Sequence, residues 1–151
     1  MTFRFRIDPL LALRRRQFDE ARVRLAAANE AVLHAEQLAQ EASRTLAAAD
    51  HAYRQALAQG VDNDSLDRHR TWIDTQRSRL AVRTRDCADR RLAAHEASQN
   101  AMQARRRMRM LEKLRERALK RHLADIRLRE AREADTLAVL KHARRAIEEG
   151  H

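Results

Sequence analysis

The seven histidines and the single cysteine are the side chains that most often bind metal ions or act as nucleophiles. The histidines stand at positions 34, 51, 69, 95, 122, 142 and 151, and no two of them are four residues apart. A metal site needs several ligands at a defined spacing, so we expect neither a metal ion nor another cofactor. No Gly-rich phosphate loop and no Ser-His-Asp order is present, which predicts that the protein is not an enzyme. Cys87 is expected to be a small core residue.

Basic side chains are the second feature that could bind a ligand. The chain has 32 Lys and Arg against 22 Asp and Glu, a formal net charge of +10. One run is Arg14-Arg15-Arg16, and a second is Arg105-Arg106-Arg107 with further Lys and Arg up to Arg121. These charges could guide the chain to an acidic partner surface or to nucleic acid, or they could form a solvated face. Nucleic acid is disfavoured because aromatic residues for base stacking are scarce.

The composition favours long helices. Only two Gly, one Pro, one Trp, one Tyr and three Phe occur, which excludes a β-sandwich or barrel with its many turns and large β-formers. No apolar run approaches the ~18 residues of a membrane span. The opening residues lack the continuous apolar stretch of a secretory signal, so we expect a cytoplasmic protein.

Helix boundaries are marked by Pro and Gly. Asp8 and Pro9 form a start signal, with Asp8 expected to accept hydrogen bonds from the first free amides. Gly60 fits the left-handed position that closes a helix, and residues 61–64 supply turn chemistry and a cap. The sequence predicts one coiled-coil domain, 1–151, composed of an arm (1–8), helix one (9–59), a turn (60–64) and helix two (65–149).

Heptad spacing in helix one predicts a coiled coil. One row repeats every seven residues, at Leu11, Phe18, Leu25, Val32, Ala39, Leu46 and Tyr53. A second row follows three residues later, at Arg14, Ala21, Ala28, Ala35, Ala42, Ala49 and Ala56. A row of alanines implies closely spaced helix axes, because small side chains let backbones approach.

Helix two carries a matching row at Leu66, Ile73, Leu80, Cys87, Ala94, Ala101 and Met108. Folding at residues 60–64 makes partner numbers add to about 126, which predicts an all-α, antiparallel two-helix hairpin. The companion row is poorer, with polar His69, Gln76, Arg83 and Arg90. After Met108 the apolar residues leave the earlier frame, so we expect a stutter there.

Three apolar features have two interpretations each. Helix two extends beyond helix one. Its apolar stripe beyond position 118 is either a docking surface or a fraying tail. Trp72 either covers the end of the seam, the line along which the two helices pack together, or belongs to a recognition patch. Phe3 and Phe5 either pack onto the helices or insert into a partner.

The two ends of the chain resemble the FliJ family of flagellar type III export. The resemblance covers nearly the whole chain. It is carried by the opening Phe3-x-Phe5, by Leu11-x-Leu13-Arg14, by the Ala-rich helix that follows, and by Trp72-Ile73 after the turn. It is also carried by Leu111-Glu112-Lys113-Leu114-Arg115-Glu116-Arg117 and by Arg132-Glu133-Ala134-Asp135.

This resemblance implies a cytoplasmic stalk protein, held at the inner face of the membrane through the export apparatus. Members insert the end with both termini into the ring of the export ATPase (FliI) and promote its assembly. They also contact the cytoplasmic domain of the export gate (FlhA), and some recycle export chaperones. The implied ring-facing residues are Phe5, Leu10, Leu11, Leu13, Arg14, Phe18, Leu111, Leu114, Arg115 and Arg117. The implied gate-binding residues are Leu46, Tyr53, Trp72, Gln76 and Leu80.

Three alternatives remain open at the level of sequence. The chain could be the equivalent stalk of an injectisome, a basic coiled coil that binds nucleic acid, or an oligomeric structural protein. Tight duplex binding that falls steeply with salt would indicate the nucleic-acid alternative. A stable bundle of chains would indicate the structural one.

Overall fold

The computed structural model describes residues 2–150 and consists of two helices. Helix α1 spans Asp8–Gln59 and helix α2 spans Asn63–Glu149, and no strand occurs among the described residues. These bounds lie within two residues of the predicted ones. The expected all-α class, an antiparallel two-helix coiled coil, is confirmed.

The chain divides into two compact units. The hairpin unit comprises residues 17–104, which contain most of α1, the turn and the first half of α2. The terminal unit comprises the described residues among 1–16 and 105–151. Each unit contains segments of both helices.

Alanines form the core of the hairpin unit. From α1 the buried residues are Ala35, Ala42, Ala49 and Ala56, and from α2 they are Ile73, Gln76, Cys87, Ala94 and Ala101. The intervening positions of the α1 heptad rows are half-buried. The heptad prediction for α1 is confirmed here, and Cys87 lies in the core as expected. Because most of these side chains are small, the core is thin and its burial depends on closely packed backbones.

The turn uses backbone caps on both sides. Gly60 has φ of 68°, its N–H donates to the Leu57 carbonyl at 3.2 Å, and the Val61 N–H donates to the Ala56 carbonyl at 3.3 Å. This pair of bonds is a Schellman motif, which closes α1. Asp62 caps α2 by accepting from the Ser65 N–H at 3.4 Å and from the Ser65 hydroxyl at 2.7 Å. The hydroxyl bond lowers the pKa of Asp62, because it stabilises the charged carboxylate.

Replacing Gly60 with Ala is expected to lower the free energy of unfolding by about 1 kcal/mol. A Cβ at this position meets nothing within 4 Å, so the whole cost comes from the left-handed backbone. Urea unfolding followed by circular dichroism measures the change. Gln59→Ala, one residue earlier and exposed, is the matched control and should leave the unfolding midpoint unchanged. An equal effect of both substitutions would contradict the strain argument.

Two cross-helix contacts fix the register of the hairpin unit. Arg91 Nη2 donates to Glu36 Oε1 at 2.7 Å, and Arg70 Nε donates to Tyr53 Oη at 3.1 Å. The residue numbers of these pairs add to 127 and to 123, close to the predicted 126. The antiparallel pairing that the sequence predicted is therefore present.

Within the terminal unit the two helices also pair in an antiparallel register. Leu11 is only 2% exposed. Arg15 Nη2 donates to Glu112 Oε1 at 3.3 Å, and Arg115 Nε donates to Asp8 Oδ1 at 3.0 Å. Half-buried positions on this part of α2 occur at Met108, Leu111, Glu112, Arg115, Ala118, Leu119, His122 and Ile126. Met108, Leu111, Arg115, Ala118 and His122 continue the earlier frame, whereas Glu112, Leu119 and Ile126 lie one position beyond it, so the stutter after Met108 stays a prediction.

Asp8 does not cap α1 in the predicted way. The first helical hydrogen bond runs from the Leu11 N–H to the Ile7 carbonyl at 3.0 Å, so Ile7 is the capping residue. The Asp8 side chain accepts instead from Arg115, across the two helices. This carboxylate therefore joins the first turn of α1 to α2.

The N-terminal arm packs within the terminal unit. The rings of Phe3 and Phe5 stack with centroids 6.5 Å apart, and Phe3 lies 5.4 Å from the His122 ring. The Arg115 guanidinium lies 5.9 Å from the centroid of the Phe3 ring. Of the two interpretations of Phe3 and Phe5, the structure supports packing onto the helices. The arm covers α2 at residues that have no α1 residue opposite them.

Beyond the arm, α2 continues without a covering element. Every residue from 127 to 150 is exposed, including Leu128, Leu137, Val139, Leu140 and Ile147. Helix two therefore extends past helix one, as expected.

Candidate partner-binding surfaces

The positive charge of the chain belongs to one unit. Residues 2–16 and 105–121 of the terminal unit hold 14 Lys and Arg against 3 Asp and Glu. The rest of that unit, 122–150, has six of each sign, and the hairpin unit has 12 basic against 13 acidic residues. A local excess of this size attracts anionic surfaces over distances near the Debye length.

The two flanks of the seam in the terminal unit differ in chemistry. One flank carries the Arg15–Glu112 ion pair. The opposite flank, here called the leucine flank, consists of the exposed residues Leu10, Leu13, Met110 and Leu114. Heptad geometry places these four residues on that flank, because each stands at a g or c position when Leu11 and Met108 are a positions. The register makes Leu10 and Leu114 neighbours, since their numbers add to 124.

The predicted ring-facing residues divide between surface and core. Leu10, Leu13, Leu114 and Arg117 are exposed, and Phe5, Arg14, Leu111 and Arg115 are half-buried. Leu11 is a seam residue that the folded chain does not present to a partner. Phe18 belongs to the hairpin unit, where it is half-buried with the Arg22 guanidinium 5.6 Å from its ring centroid. Of the predicted set, the exposed members are the ones that a partner can reach.

The predicted gate-binding residues lie in the hairpin unit and are also mostly seam residues. Leu46, Tyr53 and Leu80 are half-buried, and Gln76 is 1% exposed. Trp72 is 51% exposed, so about half of its surface is available to a partner. A shallow groove beside Trp72 is lined by Asp64, Asp67, Arg68, Thr71 and Thr75. The sequence could identify the position of Trp72 but not the acidic groove next to it.

Arg70 lies at the edge of this region and connects the helices. Its Nε donates to the Tyr53 hydroxyl, and this hydrogen bond raises the pKa of the Arg70 guanidinium. Arg70 also pairs with Asp67 at 3.1 Å. These bonds hold the Tyr53 ring beside the seam, with its hydroxyl directed toward α2.

The described residues contain no group of three or more His, Cys, Asp or Glu arranged to hold a metal ion. Within the same part of the chain, neither helix has a segment apolar enough to cross a membrane. The surfaces that remain are a basic and apolar one in the terminal unit and one around Trp72 in the hairpin unit. Both suit contact with other macromolecules.

These features define a class: an antiparallel two-helix coiled-coil protein with a thin core and exposed apolar and basic surfaces. The sequence matches the family described as Flagellar FliJ protein over residues 3–146, and the chain belongs to that family. Membership places it among the components of the flagellar type III protein export machinery. The comparison with curated protein sequences finds no match.

A solved structure with the same fold is that of CT670 from Chlamydia trachomatis, described as a YscO homologue. The TM-score is 0.58, the sequence identity is 17%, and the match covers 93% of this chain and 96% of that one. At this identity the likeness establishes the fold alone.

Proposed function

We propose that the chain is the stalk of the flagellar export ATPase, a FliI-like ring, and couples that ring to the export gate. The terminal unit enters the ring, promotes its assembly and raises its activity. The observation that carries this proposal is the coincidence, in one unit, of the entire net positive charge and the leucine flank. Family membership supports the same role.

Exposed leucines supply affinity for the ring, and the arginines supply orientation. Leu10, Leu13 and Leu114 are each exposed by about 40% or more, so a partner that covers them removes apolar surface from water. Arg14 and Arg117 lie beside them and favour acidic groups on the facing surface of the ring. A chain that binds the assembled ring better than free subunits stabilises the ring by mass action. No catalytic group of the chain is needed for this effect.

Coupling to the gate is assigned to the hairpin unit. Trp72 is the largest exposed side chain there, and aromatic residues are enriched among those that dominate binding energy. The cytoplasmic domain of a FlhA-like gate would cover Trp72 and the exposed edges of Leu46, Tyr53 and Leu80. With its two surfaces in different units, one chain can contact the ring and the gate. Export chaperones are further candidate partners in the apparatus. The chain would then lie at the inner face of the membrane through these contacts.

Replacing Leu10, Leu13 and Leu114 together with Ala is expected to raise the concentration for half-maximal ATPase stimulation about a hundredfold, since ~3 kcal/mol of apolar contact is lost. The three residues are exposed in the free chain, so the variant should keep its helix content and unfolding midpoint. The measurement is phosphate release by the cognate ATPase over a stalk titration.

The matched control replaces Val23, Leu33 and Leu92 with Ala. These residues are also exposed and apolar, but they lie in the hairpin unit. The control should stimulate like the unaltered chain. If the Leu10, Leu13 and Leu114 variant also stimulates normally, the leucine flank does not face the ring and the proposal fails.

A further inference from the structure

We propose that the terminal unit binds directly to the surface of an anionic phospholipid bilayer through its leucine flank and the arginines beside it. This goes beyond the proposed function, in which other proteins hold the chain at the membrane, and it concerns the chain outside the ring, because the ring and the bilayer would cover the same flank. The ligand is the phosphate and glycerol headgroup region of acidic lipids, with the leucine side chains entering the acyl boundary.

One side of α2 carries both basic and apolar side chains. Arg107, Met110, Leu114, Arg117 and Arg121 follow one another at spacings of three and four, so they share one side of the helix. All five are exposed. Leu10 and Leu13, three residues apart on α1, widen the same surface across the groove between the helices.

Two kinds of side chain on one surface match the two layers of a bilayer boundary. Apolar groups of this size can enter the region between headgroups and acyl chains, while Arg side chains extend toward the phosphates. Each cation near an anionic leaflet improves partitioning about fivefold. The excess of 14 basic over 3 acidic residues in 2–16 and 105–121 is therefore large enough for peripheral binding.

The ion pairs inside the unit leave these arginines available. Ion pairs of 3.3, 3.0 and 2.9 Å involve Arg15, Arg115 and Lys120, which are not among the five residues of this surface. Arg107, Arg117 and Arg121 project from the surface that also carries the exposed leucines. Binding therefore requires no rearrangement of the seam.

Lipid explains this surface better than nucleic acid does. A nucleic-acid backbone would use the cations and leave Leu10, Leu13 and Leu114 in water, where they add nothing to affinity. Stacking on bases would need free aromatic rings, whereas Phe3 and Phe5 stack on each other and Phe3 packs against His122.

The first test measures co-sedimentation of the full chain with vesicles. We expect binding to vesicles of phosphatidylglycerol mixed with phosphatidylcholine, weakening with salt, and none to phosphatidylcholine alone. Replacing Arg107, Arg117 and Arg121 with Gln should weaken binding about a hundredfold. The control replaces Arg44, Arg79 and Arg85 with Gln. These residues are exposed in the hairpin unit, and the control should leave binding nearly unchanged. Equal losses of binding in both triple variants would overturn the proposal. Equally strong binding to neutral and anionic vesicles would also overturn it.

The second test places a fluorescent probe on the flank. In a Trp72→Phe background, Met110→Trp should shift its emission to shorter wavelength on phosphatidylglycerol vesicles, and Val82→Trp in the hairpin unit should not. Binding without a shift of the M110W probe, or a preference for duplex DNA over vesicles, would overturn insertion of the flank. No ATPase takes part, so this result is independent of the stimulation assay.

Discussion

Leu11→Ala is expected to lower the free energy of unfolding by about 3 kcal/mol. Leu11 is 2% exposed and is the one fully apolar residue buried in the terminal unit, whose other seam residues are half-buried. Truncation leaves a cavity in the seam, because Leu11 is almost completely enclosed there. Urea unfolding followed by circular dichroism measures the loss.

The neighbouring Leu13→Ala is the control, because Leu13 is 46% exposed and its removal creates no cavity. Its unfolding free energy should change by less than about 0.5 kcal/mol. The two variants thereby separate support of the fold from contact with a partner. If Leu13→Ala destabilises the chain as much as Leu11→Ala, the flank is not a free surface and both the ring and the membrane proposals weaken.

The seam of α1 could be predicted from sequence because its rows are nearly pure. Ala35, Ala42, Ala49 and Ala56 repeat every seven residues without a polar interruption, and all four are buried. The turn could be predicted for a similar reason, since Gly60 is the one residue near it that readily adopts a positive φ. Local chemistry and the heptad period agree at these positions.

The seam of α2 could not be predicted as well, because hydrophobicity is a poor guide where polar residues find partners. Arg115 and His122 occupy seam positions, and what lies against them is Asp8 and Phe3 from the other end of the chain. No sequence pattern in α2 alone predicts those contacts. Leu114 and Leu123, which suggested a shifted stripe, are exposed instead.

The same limit applies to the candidate sites. Positions carried over from the FliJ family include Leu11 and Gln76, and burial shows that these two support the seam. Exposure selects Leu10, Leu13 and Leu114 in the terminal unit and Trp72 in the hairpin unit. The sequence alone does not separate exposed from buried leucines in a coiled coil. A leucine one position outside the seam is the same residue type as a leucine within it.

Gln76 is the position where sequence and structure disagree most, and it leads to the second large prediction. The sequence placed it in a poorly sealed row, yet it is 1% exposed and its Oε1 has no hydrogen-bond partner. The alanines of α1 explain this burial, because they let α2 pack closely enough to exclude water. A buried amide oxygen without a donor destabilises the fold.

Gln76→Leu is therefore expected to raise the free energy of unfolding by about 2 kcal/mol, since an apolar side chain of similar size replaces the unpartnered oxygen. Gln99→Leu, at an exposed position of the same helix, should change it little. Destabilisation by Gln76→Leu would mean that the amide is satisfied in solution. In a binding assay with the gate domain, Gln76→Leu should retain affinity while Trp72→Ala weakens it. If Gln76→Leu loses binding at unchanged stability, Gln76 contacts the gate domain after all.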